Sequence, residues 1–145
     1  MSSIAALERE IAELEEKIKE YQEDLDAIMA IRAELKPLGP ELDSSVIHPA
    51  NAYDLSKGDA WRGDLFTKAQ EMFETVKKGF QTGRDSIDIL LGEIEEAIAK
   101  ILELIALARE RIAACRAEIA SILAAEAAAA QAAAAAASGS MSYAM

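Results

Sequence analysis

A regular heptad repeat near the N-terminus is the feature that most limits how this 145-residue chain can fold. Apolar residues recur there at alternating steps of three and four, which places them on one face of an α-helix. The repeat predicts a helix over residues 3–36, ended by Pro37, because proline pushes the preceding residue out of the helical region. Its members are Ile4, Leu7, Ile11, Leu14, Ile18, Tyr21, Leu25 and Ile28, prolonged by Ile31 and Leu35.

A second repeat predicts a longer helix over residues 64–123. It comprises Ile87, Leu91, Ile94, Ile98, Ile101, Ile105, Ala108, Ile112, Cys115, Ile119 and Ile122. A shorter stripe precedes it, formed by Phe66, Ala69, Phe73, Val76 and Phe80. The two stripes are out of register near Gly83, which predicts a stutter there. Gly79 and Gly83 lie inside the helical pattern and predict a bend or a close helix approach.

The remaining segments are a connection and a tail. Residues 37–63 hold all three prolines, so we expect an irregular connection. Residues 124–145 form an alanine-rich, low-complexity tail with no strong apolar stripe, so we expect it to be frayed or disordered. The whole pattern predicts an all-α, elongated antiparallel helical hairpin of coiled-coil character, with one domain over residues 1–123.

Charge and hydropathy narrow the functional classes. The 26 acidic residues outnumber the 15 basic ones, for a net charge of -11. Nucleic-acid binding needs a basic surface, and an anionic membrane repels an acidic chain. Lys100 and Glu103 interrupt the most apolar stretch, and the alanine run is weakly hydrophobic, so we expect no membrane-spanning helix. The acidic N-terminus lacks the pattern of a cleaved signal peptide.

The inventory of reactive residues argues against an enzyme. The chain has one histidine, His48, and one cysteine, Cys115. A metal site needs several convergent ligands, and a phosphate site needs a glycine-rich loop, and neither pattern is present. Cys115 falls on the second heptad stripe, where a small buried side chain is expected. We therefore expect no catalytic residue, no metal and no cofactor.

Unequal helix lengths point to a protein partner. At 1.5 Å per residue the second helix spans about 90 Å and the first about 50 Å. Either the long helix breaks near Gly79–Gly83 and folds back, or part of it is left for a partner, which is the interpretation we favour. Its apolar surface is widest in the middle, and this predicts partner-binding residues at Ile98, Ile101, Leu102, Leu104, Ile105, Leu107 and Ile112.

The tripeptide Trp61-Arg62-Gly63 stands between the two predicted helices. Glycine permits positive φ or a close backbone approach, and a tryptophan at a corner can cover the end of an apolar seam. With this motif in this position, the chain resembles the WXG-motif superfamily of type VII (ESX) secretion. It is most similar to the α-helical partner proteins encoded with LXG polymorphic toxins. It departs from the family pattern at Phe66, where relatives often have a small residue.

The resemblance implies a function. It implies a non-enzymatic helical partner, acting as a targeting factor or chaperone for a larger secreted protein such as an LXG toxin. It also implies a chain that is cytoplasmic before export and that can itself be secreted without a cleaved signal peptide. The aromatic–acid pair typical of exported members is missing, since Phe73 is followed four residues later by Lys77. Two alternatives stay open: a self-associating secreted homodimer, and a cytoplasmic structural coiled coil unrelated to secretion.

Overall fold

The computed structural model describes residues 3–55 and 63–144, with side chains to residue 138. The elements are α1 (Ile4–Leu35), α2 (Leu38–Leu42), a π-helical segment (Asp43–Ile47), α3 (His48–Ala52) and α4 (Gly63–Ala144). Among the described residues there is no β-strand. The prediction of an all-α helical hairpin is confirmed.

Helix α1 follows its heptad repeat closely. The Ser3 hydroxyl caps its first turn by accepting a hydrogen bond from the Ala6 amide at 3.1 Å. All eight residues of the repeat from Ile4 to Ile28 are buried or partly buried. The predicted extension through Ile31 is wrong, because Ile31 is 50% exposed. Arg32 takes the next heptad position, since the steps from Ile28 to Arg32 and from Arg32 to Leu35 preserve the alternation of four and three.

The connection is far more regular than expected. Residues 38–52 are helical throughout, in place of the predicted irregular segment. Pro37 itself has helical angles, with φ of -76° and ψ of -17°, and Pro49 is the second residue of α3. Proline lacks an amide hydrogen, but the first turn of a helix does not need one, so these prolines begin helices rather than interrupt them.

Helix α4 runs for 82 residues without interruption. Its first residue, Gly63, has φ of +67°, a left-handed conformation that glycine adopts at little cost. No break occurs at Gly79 or Gly83, so the alternative in which the long helix folds back is excluded. A close approach is also absent there, because a Cβ atom at either glycine would meet nothing within 4 Å.

The heptad register of α4 differs from the prediction near its start. The regular steps of buried and partly buried positions continue past Gly83, because Lys77 fills the position between Phe73 and Phe80, and Arg84 fills the position between Phe80 and Ile87. Their long aliphatic stems can cover apolar surface while the charged ends reach solvent. The four-four step therefore lies at Ala69, Phe73 and Lys77 instead of at Gly83.

The alanine-rich tail prolongs α4. The predicted helix end at residue 123 moves to Ala144, because alanine has the highest helix propensity of all residues. Every side chain from Leu123 to Ser138 is exposed. Helix propensity alone, without packing, thus accounts for this part of the helix.

The chain divides into two compact units. The terminal unit comprises Met1–Glu23 and Ile101–Met145, and the central unit comprises Asp24–Lys100. The terminal unit contains the two most buried side chains of the described chain, Leu7 and Cys115. The central unit buries Ile47, Ile94 and Ile98.

Candidate partner-binding surfaces

The heptad seam of α4 is covered by the chain itself. Three of the seven predicted partner-binding residues lie in this seam: Ile98 is 8% exposed, and Ile105 and Ile112 are each 5% exposed. A partner cannot reach them in this structure, so the prediction is corrected for these three. The reason is physical: they occupy the central heptad positions, which face the neighbouring helix of a hairpin.

The other four predicted residues differ in exposure. Ile101 and Leu104 are partly buried, whereas Leu102 and Leu107 are 50% and 53% exposed. Residues five apart point about 140° away from each other on an α-helix, so Leu102 and Leu107 do not form one patch. Leu104 and Leu107 are three apart and adjacent, and they extend the seam of the terminal unit sideways.

The argument from unequal helix lengths needs correction in the central unit. There the connection runs beside the first part of α4, in the stretch that α1 was predicted to leave bare. Asp43 pairs with Arg84 at 3.0 Å, and the ring of Tyr53 meets that of Phe73 edge-on at 5.9 Å. Residues 38–52 form helical segments that lie along this part of α4 and cover its apolar seam.

Arg84 is the centre of a polar cluster in the central unit. Its guanidinium binds Asp43 at 3.0 Å and also binds Asp88, one turn further along α4. Hydrogen bonds to Asp88 and then to Asp43 raise the pKa of Arg84 above its ordinary value. The guanidinium lies against Gly39, where a Cβ atom would come within 2.7 Å of it. Because Gly39 has no side chain, α2 leaves room for the Arg84 guanidinium of α4.

Lys77 fills the neighbouring basic position of the seam. Its ammonium group lies 5.0 Å from the centre of the Phe73 ring and 2.7 Å from a Glu74 oxygen. Beside it, an open groove of about 230 Å³ runs between α3 and α4. The groove is lined by Ile47, Ala50, Asn51, Glu74, Lys77, Lys78, Phe80 and Gln81. The groove is a shallow surface depression between packed helices. Glu74 and Lys77 are the oppositely charged lining residues that are in contact, and they pair with each other.

In the terminal unit, two ion pairs flank the seam. Arg111 donates two hydrogen bonds to Glu10, at 2.7 Å and 3.0 Å, and Arg116 donates one to Glu15 at 3.1 Å. The hydrogen bond from Arg111 lowers the pKa of Glu10 below its ordinary value. Burial raises the pKa of the Cys115 thiol, whose side chain is fully buried. Cys115 is thus a packed seam residue, kept in its protonated and unreactive form.

His48 and Cys115, the two residues considered for metal binding or catalysis, lie in different units of the chain. Within residues 3–55 and 63–144, no three His, Cys, Asp or Glu side chains are grouped closely enough to hold a metal ion. His48 is exposed at the start of α3, and Cys115 is buried in the terminal unit. Of the corner motif, Trp61 and Arg62 lie outside the described residues. Gly63 lies within them as the exposed first residue of α4.

The premise that no stretch is apolar enough to span a bilayer is wrong, while the expectation of no membrane-spanning helix stays a prediction. By length and composition alone, the helix Gly63–Ser138 contains a window apolar enough to cross a membrane, with a mean hydropathy of 1.5. None of that window is buried. A single such helix is weak evidence for insertion, and the alanine residues that raise its mean hydropathy carry little apolar surface each.

The sequence prediction missed an exposed apolar face on α4 in the central unit. Leu65, Met72, Val76, Ile89 and Leu90 are between 43% and 73% exposed, although they lie near the buried stripe. At 100° per residue, Leu65, Met72, Val76 and Leu90 lie on one side of the helix, displaced from the seam, and Ile89 lies about 100° further round. A search for a second heptad stripe on the same helix would have found them.

Comparisons with known proteins identify no relative of the chain. No family model, no curated protein and no solved structure matches it.

Proposed function

We propose that this chain is a non-enzymatic helical partner in type VII secretion, a WXG-like targeting factor or chaperone for a larger secreted protein such as an LXG toxin. The proposal rests on the helical hairpin and on the resemblance of the Trp-Arg-Gly sequence motif to that family. It is a proposal about partner binding, and it requires apolar surface on this chain that another helix can cover.

The observation that carries the proposal is the bare side of α4 in the terminal unit. Leu107 is 53% exposed next to the partly buried Leu104, and every side chain from Leu123 to Ser138 is exposed. Contiguous exposed apolar surface typically marks a site of interaction, and Leu104 and Leu107 lie side by side on this face. A partner helix lying beside Leu104 and Leu107 would extend the two-helix seam into a small bundle, the helix-in-groove mode of recognition.

The acidic character of the chain limits which partners fit. With a net charge of -11, it would associate most readily with a helix whose flanks are basic or neutral. The alternating apolar pattern of such a partner should match the three- and four-residue spacing of this surface.

Co-expression tests the proposal directly. The tagged full-length chain is produced together with the N-terminal region of an LXG-type protein encoded beside it, and the complex is isolated through the tag. We expect co-purification, reduced at least tenfold by Leu107→Glu, because a buried charge would face the partner. Ala113→Glu is the matched control, since Ala113 is exposed on another side of α4 and its variant should retain the partner. Failure to co-purify any neighbouring product, with the chain well folded, would contradict the proposal.

A further inference from the structure

An open groove of about 400 Å³ lies between the helical connection and α4, within the central unit. Four of its six lining residues are aliphatic, so its surface is mainly apolar. The lining consists of Leu38, Glu41, Leu42, Ser45, Val46 and Ile87. We call this opening the Leu38 groove, after the side chain that forms one wall and is 42% exposed.

The Leu38 groove occupies the flank of the seam that no ion pair closes. On the other flank, Arg84 reaches from α4 to Asp43 at 3.0 Å. Around α4, Arg84 lies about 60° to one side of Ile87, and Leu90 lies about 60° to the other side. Leu90 is 43% exposed and therefore forms the second wall of the groove, opposite the connection.

The register of the two helices places like charges on opposite sides of the groove. Arg32 pairs with Glu95 at 2.9 Å, on the same flank as Arg84. Because α1 and α4 form an antiparallel hairpin, two residues forward from Arg32 are level with two residues back from Glu95. Glu34 therefore lies level with Glu93, and both lie on the flank that the ion pairs leave open.

Three carboxylates form the rim of the Leu38 groove. Glu34 lies one turn before Leu38, and Glu93 lies one turn after Leu90. Glu41 is part of the lining itself. All three are exposed, and within the described part of the chain none of them forms an ion pair. Carboxylates on both sides of one groove repel each other, and a cation between them would relieve that repulsion.

Basic residues do not balance this rim. Within residues 30–46 and 83–97 the basic residues are Arg32, Lys36 and Arg84. Arg32 and Arg84 form the ion pairs of the other flank, and Lys36 lies about 160° around the helix from Glu34. An occupant of the groove thus meets aliphatic side chains at the bottom and negative charge on both sides.

From the apolar lining and the acidic rim we propose that the Leu38 groove binds a basic amphipathic helix of another protein. The apolar side chains of that helix recur at three- and four-residue spacing and enter between Leu38 and Leu90. Its Lys or Arg residues border the apolar stripe on both sides and lie beside Glu34 and Glu93. The proposal does not depend on the secretion function, because Leu107 belongs to the terminal unit and to a different surface.

Two synthetic peptides of about 15 residues, roughly four helical turns, test the proposal on the full-length chain. The first peptide has leucine at three- and four-residue spacing, with lysine on both borders of the leucine stripe. The second peptide has glutamate in place of every lysine. Fluorescence anisotropy of the labelled peptides measures binding. We expect the lysine peptide to bind one-to-one in the micromolar range, and the glutamate peptide to bind about tenfold more weakly or not at all.

Variants of the two walls test the location. Leu38→Glu and Leu90→Glu should each weaken binding of the lysine peptide about tenfold or more, because the occupant would bury the new carboxylate among apolar groups. Both leucines are exposed, so the folded chain accommodates either change, and circular dichroism checks the helix content. Leu102→Glu is the matched control, since Leu102 is 50% exposed in the terminal unit and its variant should bind normally.

Variants of the rim test the contribution of charge. Glu34→Gln combined with Glu93→Gln should weaken binding of the lysine peptide about threefold. Glu13→Gln combined with Glu16→Gln removes the same charge from exposed positions of the terminal unit and should have a smaller effect.

Three results would overturn the proposal: equal binding of the two peptides, binding that both wall variants leave unchanged, and an equal effect of the two glutamine pairs. A dimer of this chain that Leu90→Glu dissociates would assign the groove to a second copy and would also overturn it. Partner capture in the co-expression experiment depends on Leu107, so its failure would leave the peptide result unaffected.

Discussion

Three basic residues occupy positions that a heptad normally gives to apolar ones. Arg32, Lys77 and Arg84 each lie in the seam with side chains only 20–23% exposed. Each is paired with an acidic residue, Arg32 with Glu95 at 2.9 Å. A pattern search that counts only apolar side chains misses them, and this is why Ile31 was predicted in place of Arg32 and a stutter was predicted at Gly83.

Gly39 makes a prediction at the residue scale. Gly39→Leu should destabilise the chain by about 1–3 kcal/mol, because the added side chain would occupy the position of the Arg84 guanidinium and separate it from Asp43. Thermal unfolding followed by circular dichroism measures this effect. Gly92→Leu, in open space on α4, is the control and should not destabilise. Equal melting of both variants would mean that the Arg84 cluster contributes nothing to stability.

Cys115 makes a second prediction. Because its side chain is fully buried and burial raises its pKa, the thiol should not react with a thiol-specific reagent at neutral pH in the folded chain. It should react promptly once denaturant unfolds the protein. The rate of labelling against denaturant concentration should therefore follow the unfolding curve. Rapid labelling without denaturant would show that the seam of the terminal unit opens readily.

At the scale of elements, the sequence predicted the two long helices and their apolar faces better than it predicted where the helices end. The repeat from Ile4 to Ile28 identified α1, and the repeat from Ile87 to Ile122 identified the seam of α4, because a heptad fixes the face that is buried. The prolines misled the prediction for residues 38–52, since proline both ends helices and begins them. Whether a proline ends or begins a helix depends on the backbone angles around it, and the sequence alone does not give those angles.

The candidate surface was less predictable than the fold. Ile98, Ile105 and Ile112 were assigned to a partner although the chain itself buries them, because all three occupy central heptad positions that the chain uses for its own seam. The same apolar residue types occur at exposed and at buried positions, so residue type alone does not tell the two apart. Leu107 is exposed and Ile105 is buried because of where the neighbouring helix lies. That position depends on residues far away in the sequence.

The end of α4 makes a prediction at the element scale. Deleting residues 124–145 should change the melting temperature by less than about 2 °C, because the side chains from Leu123 to Ser138 are exposed. The helical signal should fall in proportion to the residues removed. Thermal scans of the two lengths measure both quantities. A large drop in melting temperature would show that the tail packs on the rest of the chain, against this structure.

For the whole molecule, acidity and exposed apolar surface act together. A net charge of -11 opposes the association of like chains, while α4 keeps apolar side chains such as Leu107 exposed. Recognition then depends on a few flanking charges and on the spacing of apolar side chains.

The central claim is that other helices complete the surface of α4, and the mass of the protein in solution tests it most directly. Multi-angle light scattering on the purified full-length chain, alone and after co-expression with a neighbouring gene product, gives that mass. The account predicts a complex that contains the partner after co-expression. A single chain after co-expression, folded and monodisperse, would contradict it.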